Sequence, residues 1–354
     1  MPAGIGLADF NAFAPDALPL KVMIVTDAWA PQVNGVVRTL QMLGRELKGL
    51  GHEVRFVTPE GRTTVPLPTY GEIRLALFQQ RTLENEIREF APDAIHIATE
   101  GTLGIGARKI CLRYDIPFTT SFHTRFPEYV TARFPFIKEE SVYRFLRWFH
   151  GPAVAMMVAT PALRRELEAH GFKNLKIWSR GVDTEFFQPQ PGFHLPYPGP
   201  VWLYVGRIAV EKNIEAFLKL DLPGTKVLVG DGPARTSLER AYPEAKILGP
   251  RTGEDLVEAY AGSDVFVFPS KTDTFGLVML EALATGTPVA AYPVQGPLDV
   301  IGNAPIGVLD EDLAAACRRA LEIPRAEARA FALTRNWRAC TREFLSNIAI
   351  DHEP

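Results

Sequence analysis

Residues 264–286 read Asp-Val-Phe-Val-Phe-Pro-Ser-Lys-Thr-Asp-Thr-Phe-Gly-Leu-Val-Met-Leu-Glu-Ala-Leu-Ala-Thr-Gly. The stretch opens with an apolar run typical of a buried strand and ends with a helical pattern. Backbone N–H groups of residues 275–277 would lie at the helix N-terminus, a place that suits a phosphate. The carboxylates of Asp273 and Glu281 are good acceptors for sugar hydroxyls. Together these features predict a nucleotide-sugar site.

The composition indicates a globular protein long enough for two domains, with 354 residues, 47% hydrophobic and 22% charged. No apolar run reaches the roughly 20 residues that a membrane-spanning helix needs. Residues 1–19 lack the pattern of a signal or transit peptide and are expected to form a loose tail. The three cysteines have no metal-ligand spacing and fit a reduced cytoplasm.

Strand-like apolar runs alternate with loops and helical patterns along the chain, which predicts parallel βαβ units. The predicted strands are 21–26, 53–58, 94–98, 117–121 and 154–159 in the first half, and 201–205, 226–229, 246–248, 265–268 and 288–291 in the second. A helix is predicted over 35–50. Residues 187–200 contain five prolines, too many for a helix or a central strand, and predict a linker. The last stretch, 331–350, has a helical pattern.

The predicted fold class is therefore α/β, with two doubly wound Rossmann-like domains facing each other across a cleft. The predicted boundaries are an N-terminal acceptor domain over 1–186, the linker over 187–200 and a donor domain over 201–330. A C-terminal helix within 331–354 is expected to pack back toward the first domain. Ligands bind such sheets at the carboxyl ends of their strands.

The spacing of Asp273 and Glu281 resembles the Glu-x7-Glu signature of retaining glycosyltransferases of family 4, with Asp replacing the first Glu. The resemblance covers nearly the whole chain from Lys21 and implies the GT-B fold. It also implies a donor site in which Arg207 and Lys212 of a Gly-Arg-x4-Lys element grip the pyrophosphate. The residues implied to bind the donor are Asn34, Gly35, Gly206, Arg207, Lys212, Gly230, Arg251, Thr274, Phe275, Gly276, Leu277 and Glu281.

The same resemblance assigns the catalytic group to His123, Asp273, Arg207 and Lys212. His123 matches a histidine that family members place beside the donor sugar, Asp273 would bind the sugar hydroxyls, and Glu281 would bind the ribose. No enzymic nucleophile is implied, because retention in this family is ascribed to front-face attack. Asp310 and Asp312 spell Asp-x-Asp, but they precede a helical pattern and are interpreted as its N-terminal cap. We therefore predict no metal and no other cofactor.

Residues 133–150 combine basic and aromatic side chains, which suits an anionic membrane surface. A helical wheel places Val142, Phe145, Leu146 and Phe149 on one stripe, with Tyr143, Arg144, Arg147 and Trp148 beside it. The residues predicted to meet the membrane or the acceptor are Lys138, Arg144, Arg147 and Trp148. An ordinary packed helix with a solvated face remains the alternative. Residues 1–183 hold 22 basic against 19 acidic residues, whereas 184–354 hold 16 against 22.

The chain is most similar to the branch of the family that glycosylates diacylglycerol or phosphatidylinositol, including sulfoquinovosyl- and mannosyl-lipid enzymes. The resemblance implies transfer of a hexose or hexuronic acid from a nucleoside-diphosphate sugar, a UDP-sugar first, to a lipid such as diacylglycerol. A GDP-mannose-dependent mannosyltransferase, a nucleotide-sugar epimerase and a non-catalytic sugar-nucleotide sensor are the alternatives. The expected partners are the sugar nucleotide, a lipid or glycan acceptor and an anionic membrane, without nucleic acid. The expected location is cytoplasmic, on the inner face of the cytoplasmic membrane.

Overall fold

The structure is a computed structural model that describes residues 19–30, 32, 34–67, 70–77, 80–123, 127, 136–273 and 275–349. The chain divides into two compact units, one of residues 1–158, 167–178 and 341–354, the other of residues 159–166 and 179–340. No helix in the described ranges is both long and apolar enough to cross a membrane.

The first half of the chain alternates strands and helices, with one inserted hairpin. Its elements are β1 (Lys21–Val25), α1 (Gly35–Gly49), β2 (Glu53–Val57), β3 (Thr64–Leu67), β4 (Tyr70–Ala76), α2 (Gln80–Phe90), β5 (Ala94–Ile97), α3 (Thr102–Arg113), β6 (Phe118–Ser121), α4 (Glu139–His150), β7 (Ala155–Val158), α5 (Pro161–Ala169) and β8 (Leu175–Ile177). The main sheet has the order β2-β1-β5-β6-β7-β8 and is parallel throughout. The central strands β1, β5, β6 and β7 have no Asp, Glu, Lys or Arg in their interior and are buried except at Lys21, as expected for a sheet covered on both faces.

The second half repeats the plan. Its elements are β9 (Val201–Val205), α6 (Ile214–Leu218), β10 (Thr225–Val229), α7 (Arg235–Ala241), β11 (Lys246–Ile247), α8 (Glu254–Ala261), β12 (Val265–Phe268), α9 (Leu277–Ala284), β13 (Val289–Ala291), α10 (Gln295–Val300), β14 (Gly307–Leu309), α11 (Leu313–Ala320), α12 (Arg325–Leu333) and α13 (Trp337–Asn347). Its parallel sheet has the order β11-β10-β9-β12-β13-β14. Read as 3-2-1-4-5-6, this is the strand order of dinucleotide-binding Rossmann sheets.

The predicted α/β fold with two Rossmann-like units is confirmed, and the ten predicted strands are present within one or two residues. Three features differ from the prediction. The antiparallel pair β3–β4 and the edge strands β8 and β14 were not predicted. The C-terminal helix is broken, because α12 ends at Leu333 and α13 begins at Trp337. Between them Asn336 caps the second helix by accepting from the N–H of Ala339 at 2.9 Å.

The proline-rich segment 187–200 belongs to the second unit in the structure. Phe187 is fully buried in the core of that unit, and the half-buried Leu195 and Tyr197 pack against the same core. The backbone N–H of Leu195 donates to the carbonyl of Gly262 at 3.2 Å. This segment therefore contributes packing contacts as well as a connection.

The C-terminal residues 341–354 belong to the first unit. Phe344 of α13 is fully buried, and its ring lies 5.1 Å from that of Trp178. The side-chain amide of Asn347 donates to the carbonyl of Ile177 at 2.6 Å. Residues 350–354 of the predicted C-terminal helix lie outside the described residues.

Candidate functional site

The loops after β9 and β10 lie in close backbone contact at the carboxyl edge of the second sheet. Gly206 donates its N–H to the carbonyl of Val229, and Gly230 donates to that of Gly249. Gly230 has φ 140°, and a Cβ added there would lie 1.9 Å from the carbonyl oxygen of Gly206. Only glycine fits this position, so the Gly-Asp-Gly-Pro turn serves to bring the two loops together.

Arg207 projects from the first of these loops, with 43% of its side chain exposed. The loop is fixed by Tyr204, whose hydroxyl donates to the carbonyl of Arg207 at 2.8 Å. Burial raises the pKa of Tyr204, and the nearby charges of Asp273 and Glu211 raise it further. The hydroxyl is therefore a permanent donor at physiological pH. The guanidinium Nη1 of Arg207 lies 3.9 Å from Glu211 Oε1, a long and exposed ion pair.

Lys212 and Asp273 form an ion pair between Nζ and Oδ1, although 61 positions separate them in the chain. Their side chains are only 20% and 19% exposed. Lys212 ends a 3-10 turn, and the next residue, Asn213, has φ 54° and donates its amide to the carbonyl of Pro269 at 3.1 Å. Among the described residues, the buried Oδ2 of Asp273 has no hydrogen-bond partner.

The position of this pair follows from the strand order. β9 is followed by β10 and β11 on one side, and the chain then crosses to β12 on the other side of β9. The loops after β9 and β12 therefore diverge from a topological switch point, where doubly wound sheets bind their ligands. Sequence reasoning predicted Lys212 and Asp273 as separate ligands of phosphate and sugar, and the structure brings them into contact.

Helix α9 begins beside this pair, with Gly276 as its N-terminal cap at φ 85° and Leu277 as its first residue. Phe275 is half-buried, and Thr274 lies outside the described residues. Glu281, one turn into the helix, is 3% exposed. Its Oε2 accepts a hydrogen bond of 2.8 Å from the hydroxyl of Tyr260, a fully buried residue of α8 that sequence reasoning missed.

Arg251 follows the edge strand β11 at the same edge of the sheet. Its Nη1 lies 3.2 Å from Asp255 Oδ2, and both side chains are exposed. Apart from Asn34 and Gly35 of the first unit, the described residues predicted for the donor lie on one series of loops after β9, β10, β11 and β12 and in the helix α9 that follows. This series presents three cations and the first turn of α9, whose N–H groups have no acceptor within the helix. Such a surface can bind an anion with several oxygens.

Comparisons with known proteins decide the family. Residues 33–186 match the family described as "Glycosyltransferase Family 4", and residues 199–323 match "Glycosyl transferases group 1". A GDP-mannose-dependent alpha-mannosyltransferase of Mycobacterium tuberculosis is 30% identical over 326 residues, which cover 82% of this chain and 83% of that protein. The chain belongs to glycosyltransferase family 4.

Other relatives agree with this assignment. A sulfoquinovosyl transferase of Arabidopsis thaliana is 32% identical over 299 residues, covering 76% of this chain but only 58% of the plant protein. The alpha-monoglucosyldiacylglycerol synthase of Streptococcus pneumoniae is 25% identical and aligns with 85% of this chain and 78% of its own. Among solved structures, a sucrose-phosphate synthase from Thermosynechococcus elongatus has a TM-score of 0.76 at 20% identity, covering 92% of this chain and 98% of that one. The GT-B fold is thereby confirmed.

In the first unit of this glycosyltransferase, the predicted residues lie at the carboxyl edge of the sheet. Asn34 caps α1 by accepting from the N–H groups of Val36 and Val37 at 3.0 Å, and Gly35 is the first helical residue. His123 follows β6, is half-buried, and has its ring 5.8 Å from that of Trp178 in an edge-on arrangement.

The buried side of helix α4 differs from the predicted stripe. Its buried residues are Tyr143, Leu146, Phe149 and His150, so the stripe of Val142, Phe145, Leu146 and Phe149 is only half buried, at Leu146 and Phe149. Tyr143 is buried because its ring stacks on that of His170 at 3.8 Å. Phe145 is instead 41% exposed, next to Trp148 at 49%. The two rings are 5.7 Å apart, and we call them the exposed aromatic pair.

The predicted membrane-facing cations differ in their environment. Lys138 and Arg144 are exposed. Arg147 is held within its unit, because it pairs with Glu140 and donates to the carbonyl of His170 at 2.8 Å. Because of these two contacts, Arg147 is less available to a membrane surface than the sequence suggested. Trp148 packs against Arg108, whose guanidinium lies 4.1 Å from the centre of the Trp148 ring.

Asp312 caps α11, accepting from the N–H groups of Ala314 and Ala315. Asp310 accepts from the N–H of Asp312 and pairs with Arg319 at 3.0 Å. The interpretation of this acidic run as a helix start is confirmed. Within the described ranges no group of three or more potential metal-ligating side chains occurs.

A further buried acid was missed by sequence reasoning. Asp27, at the end of β1, is 4% exposed and accepts from the N–H groups of Leu103 and Gly104 at the start of α3. Hydroxyls of Thr99 and Thr102 also donate to it. Burial raises the pKa of Asp27, and these hydrogen bonds oppose the rise. The residue fixes the β1 end to α3; its only sequence signal is a carboxylate that directly follows an apolar strand.

Proposed function

We propose that this enzyme transfers a hexose or hexuronic acid from a nucleoside-diphosphate sugar to a hydroxyl of a membrane lipid. The observation that carries the proposal is the contact of Lys212 with Asp273 at the switch point of the second sheet. A cation for phosphate oxygens and a carboxylate for sugar hydroxyls lie within one hydrogen bond of each other. Phosphate and sugar are adjacent in a sugar nucleotide, so one ligand would engage both.

The leaving group is a nucleoside diphosphate, on which negative charge develops as the glycosidic bond breaks. Arg207 and Lys212 supply two cations, and the first turn of α9 after Gly276 adds N–H donors. Positioned donors of this kind stabilise developing charge without reorganisation. We propose that they replace a metal ion in this role.

The two carboxylates take different hydroxyls. Asp273 would accept from the sugar through Oδ2, which is buried and has no partner in the described part of the chain. Glu281 would accept from the ribose, with Tyr260 fixing its orientation. We propose retention of configuration by front-face attack, in which the leaving phosphate oxygen takes the acceptor's proton.

A membrane lipid acceptor is supported by the relatives and by the surface of α4. One relative is named as a synthase of glucosyldiacylglycerol. The exposed aromatic pair, together with the exposed Arg144 and Lys138, combines amphipathic rings with cations. Such surfaces bind anionic lipid interfaces. We propose peripheral attachment to the inner face of the cytoplasmic membrane through this helix.

UDP-sugar is our first candidate donor, and GDP-mannose is the second. The second is favoured by the mannosyltransferase of M. tuberculosis, whose printed name states GDP-mannose dependence and which aligns over 82% of this chain. Arg251 and the turn after β10 would face the base in either case.

The proposal is tested with purified enzyme, lipid extract and a panel of UDP-, GDP- and ADP-sugars, with products identified by mass spectrometry. We expect one donor to yield a glycolipid with the anomeric configuration of the donor, and the rate to persist in excess chelator. An inverted product would refute retention, and activity lost on chelation but restored by Mg²⁺ would refute metal independence. Interconversion of sugar nucleotides without transfer would identify an epimerase.

A further inference from the structure

A cavity of about 470 Å³ lies at the carboxyl edge of the first sheet. This volume is within the roughly 300–1,000 Å³ typical of small-molecule sites. It lies between the loop after β1, the loop after β2 and the hairpin β3–β4. It is lined by Trp29, Ala30, Gln32, Pro59, Glu60, Gly61, Arg62, Thr64 and Arg74. No residue predicted for the donor lines it.

One wall of the cavity is the ring of Trp29, which is half-buried. Its ring lies 4.6 Å from that of Phe56 on β2, at an angle of 33°. Phe56 is in turn packed against α1, because a Cβ added to Gly44 would come within 2.6 Å of its ring. The indole is therefore supported from behind by the core, which makes it a rigid apolar platform.

The other walls carry polar groups with fixed orientations. The buried amide of Gln32 accepts from the side chain of Asn34 at 3.2 Å. Arg74 donates from Nε to the hydroxyl of Thr64 at 2.6 Å and from Nη2 to the Thr64 carbonyl at 3.3 Å. These bonds hold the guanidinium across the two strands of the hairpin.

The charges that face the cavity balance. Arg62 binds both oxygens of Glu86 through Nη2, at 2.6 and 2.7 Å, so its charge is neutralised within the unit. The remaining charged groups are the carboxylate of Glu60 and the guanidinium of Arg74. An anion would meet Glu60, and an acyl chain would cover the charges of Glu60 and Arg74 without offering either a hydrogen-bond partner.

A flat apolar platform in a cavity whose other walls carry donors and acceptors suits a molecule with C–H faces and hydroxyl edges. We propose that this cavity binds an uncharged sugar or cyclitol ring, which forms the head group of the lipid acceptor and stacks on Trp29. This rests on the proposed function, because it assumes that the second substrate is a lipid. It distinguishes ring-bearing lipids from bare diacylglycerol, whose single hydroxyl would leave the cavity unfilled.

The test compares two soluble acceptors, dioctanoylglycerol and its monoglucosyl derivative, with the donor that supports the highest turnover. The variants are Trp29→Ala, Trp29→Phe and Arg74→Gln. Arg88→Gln is the matched control, since Arg88 lies on α2 with 73% of its side chain exposed and outside the cavity. In parallel, saturation-transfer NMR measures contact of methyl α-glucopyranoside with each full-length variant.

Wild type should prefer the monoglucosyl acceptor. Trp29→Ala should raise the KM for that acceptor about tenfold, the upper end expected for loss of ring stacking. Trp29→Phe should restore it to within about twofold, and Arg74→Gln should raise it about threefold or more. The donor KM should be the same in all variants, and the acceptor KM of Arg88→Gln should equal that of wild type.

Two results would overturn the inference: unchanged KM values in Trp29→Ala and Arg74→Gln, or the same change for both acceptors. If wild type transfers to neither lipid, the lipid proposal has failed and the NMR arm decides. Methyl glucoside signals that disappear in Trp29→Ala would then support a ring-binding cavity, and signals equal in all variants would refute it.

Discussion

Replacing Lys212 with alanine should separate the structural from the catalytic part of the Lys212–Asp273 contact. The variant leaves the carboxylate of Asp273 without its cation, at a position only 19% exposed. Exposed ion pairs contribute about 0–1 kcal/mol, and removing one partner of a fully buried pair costs about 3–5 kcal/mol. For this half-way environment we expect a loss of about 2 kcal/mol in the free energy of unfolding.

The same substitution should lower kcat/KM for the donor by about tenfold to a hundredfold. This follows from the loss of one charge-assisted contact to the pyrophosphate, worth about 1.5–3 kcal/mol. The matched control is Lys219→Ala, which removes a cation from the same unit. Lys219 pairs with Glu215 on an exposed surface, with 64% and 57% of the two side chains accessible. We expect little or no destabilisation there and unchanged kinetics, because an exposed ion pair is screened by solvent.

The decisive variant is the double substitution Lys212→Ala with Asp273→Asn. Urea unfolding monitored by fluorescence should show much of the lost stability restored, since the uncompensated carboxylate is gone. Turnover should fall further, because the sugar contact is lost as well. If the double variant is no more stable than Lys212→Ala, the two groups do not form a significant pair. Wild-type turnover in Lys212→Ala would refute the donor assignment.

Three further outcomes are expected. Glu281→Gln should raise the donor KM or lower kcat by about tenfold, and Tyr260→Phe should give a smaller change in the same direction. Steady-state kinetics measure both effects. If Glu281→Gln behaves as wild type, the ribose binds elsewhere. Arg144→Glu should weaken sedimentation with anionic vesicles, and high salt should do the same in wild type; binding unaffected by either would exclude an electrostatic role for α4. Burial raises the pKa values of Cys111 and Cys317 to about 12. Neither thiol should therefore react with Ellman's reagent at pH 8 until the protein unfolds. Rapid labelling of these two residues in the native protein would contradict their burial.

Most of the parallel strands were predictable because they are short segments rich in apolar or β-branched residues and are bounded by polar or turn residues. The edge strands β8 and β14, with three residues each, were too short to be recognised. The hairpin β3–β4 was not predictable, since Pro66 interrupts its alternation and its strands pair only with each other. On α4, aromatic residues occur on more than one side of the helix, so their pattern in the sequence does not decide which side is buried. Only the stacking of Tyr143 on His170, 27 positions away, decides it.

The candidate site was likewise predictable only in part. Asp273, Glu281, Arg207 and Lys212 were predicted because their motifs resemble those of the family. Their contacts were not found, because the Lys212–Asp273 pair depends on β12 lying beside β9, and no local pattern encodes strand order. Tyr260 was also missed, because a tyrosine within a helix is usually a core residue. Only the structure shows that its hydroxyl donates to Glu281.

The proposed donor site therefore depends on long-range sheet pairing. Each loop carries one kind of group: a cation after β9, a carboxylate after β12 and helix N–H donors just beyond it. None of these segments could present a sugar-nucleotide site alone, because phosphate and sugar need opposite charges a few ångströms apart. The switch point supplies that separation, since neighbouring strands are about 4.8 Å apart and their loops leave in opposite directions. The Lys212–Asp273 ion pair neutralises the two charges within the protein and joins the two loops, so we expect it to hold both loops in place for the proposed ligand.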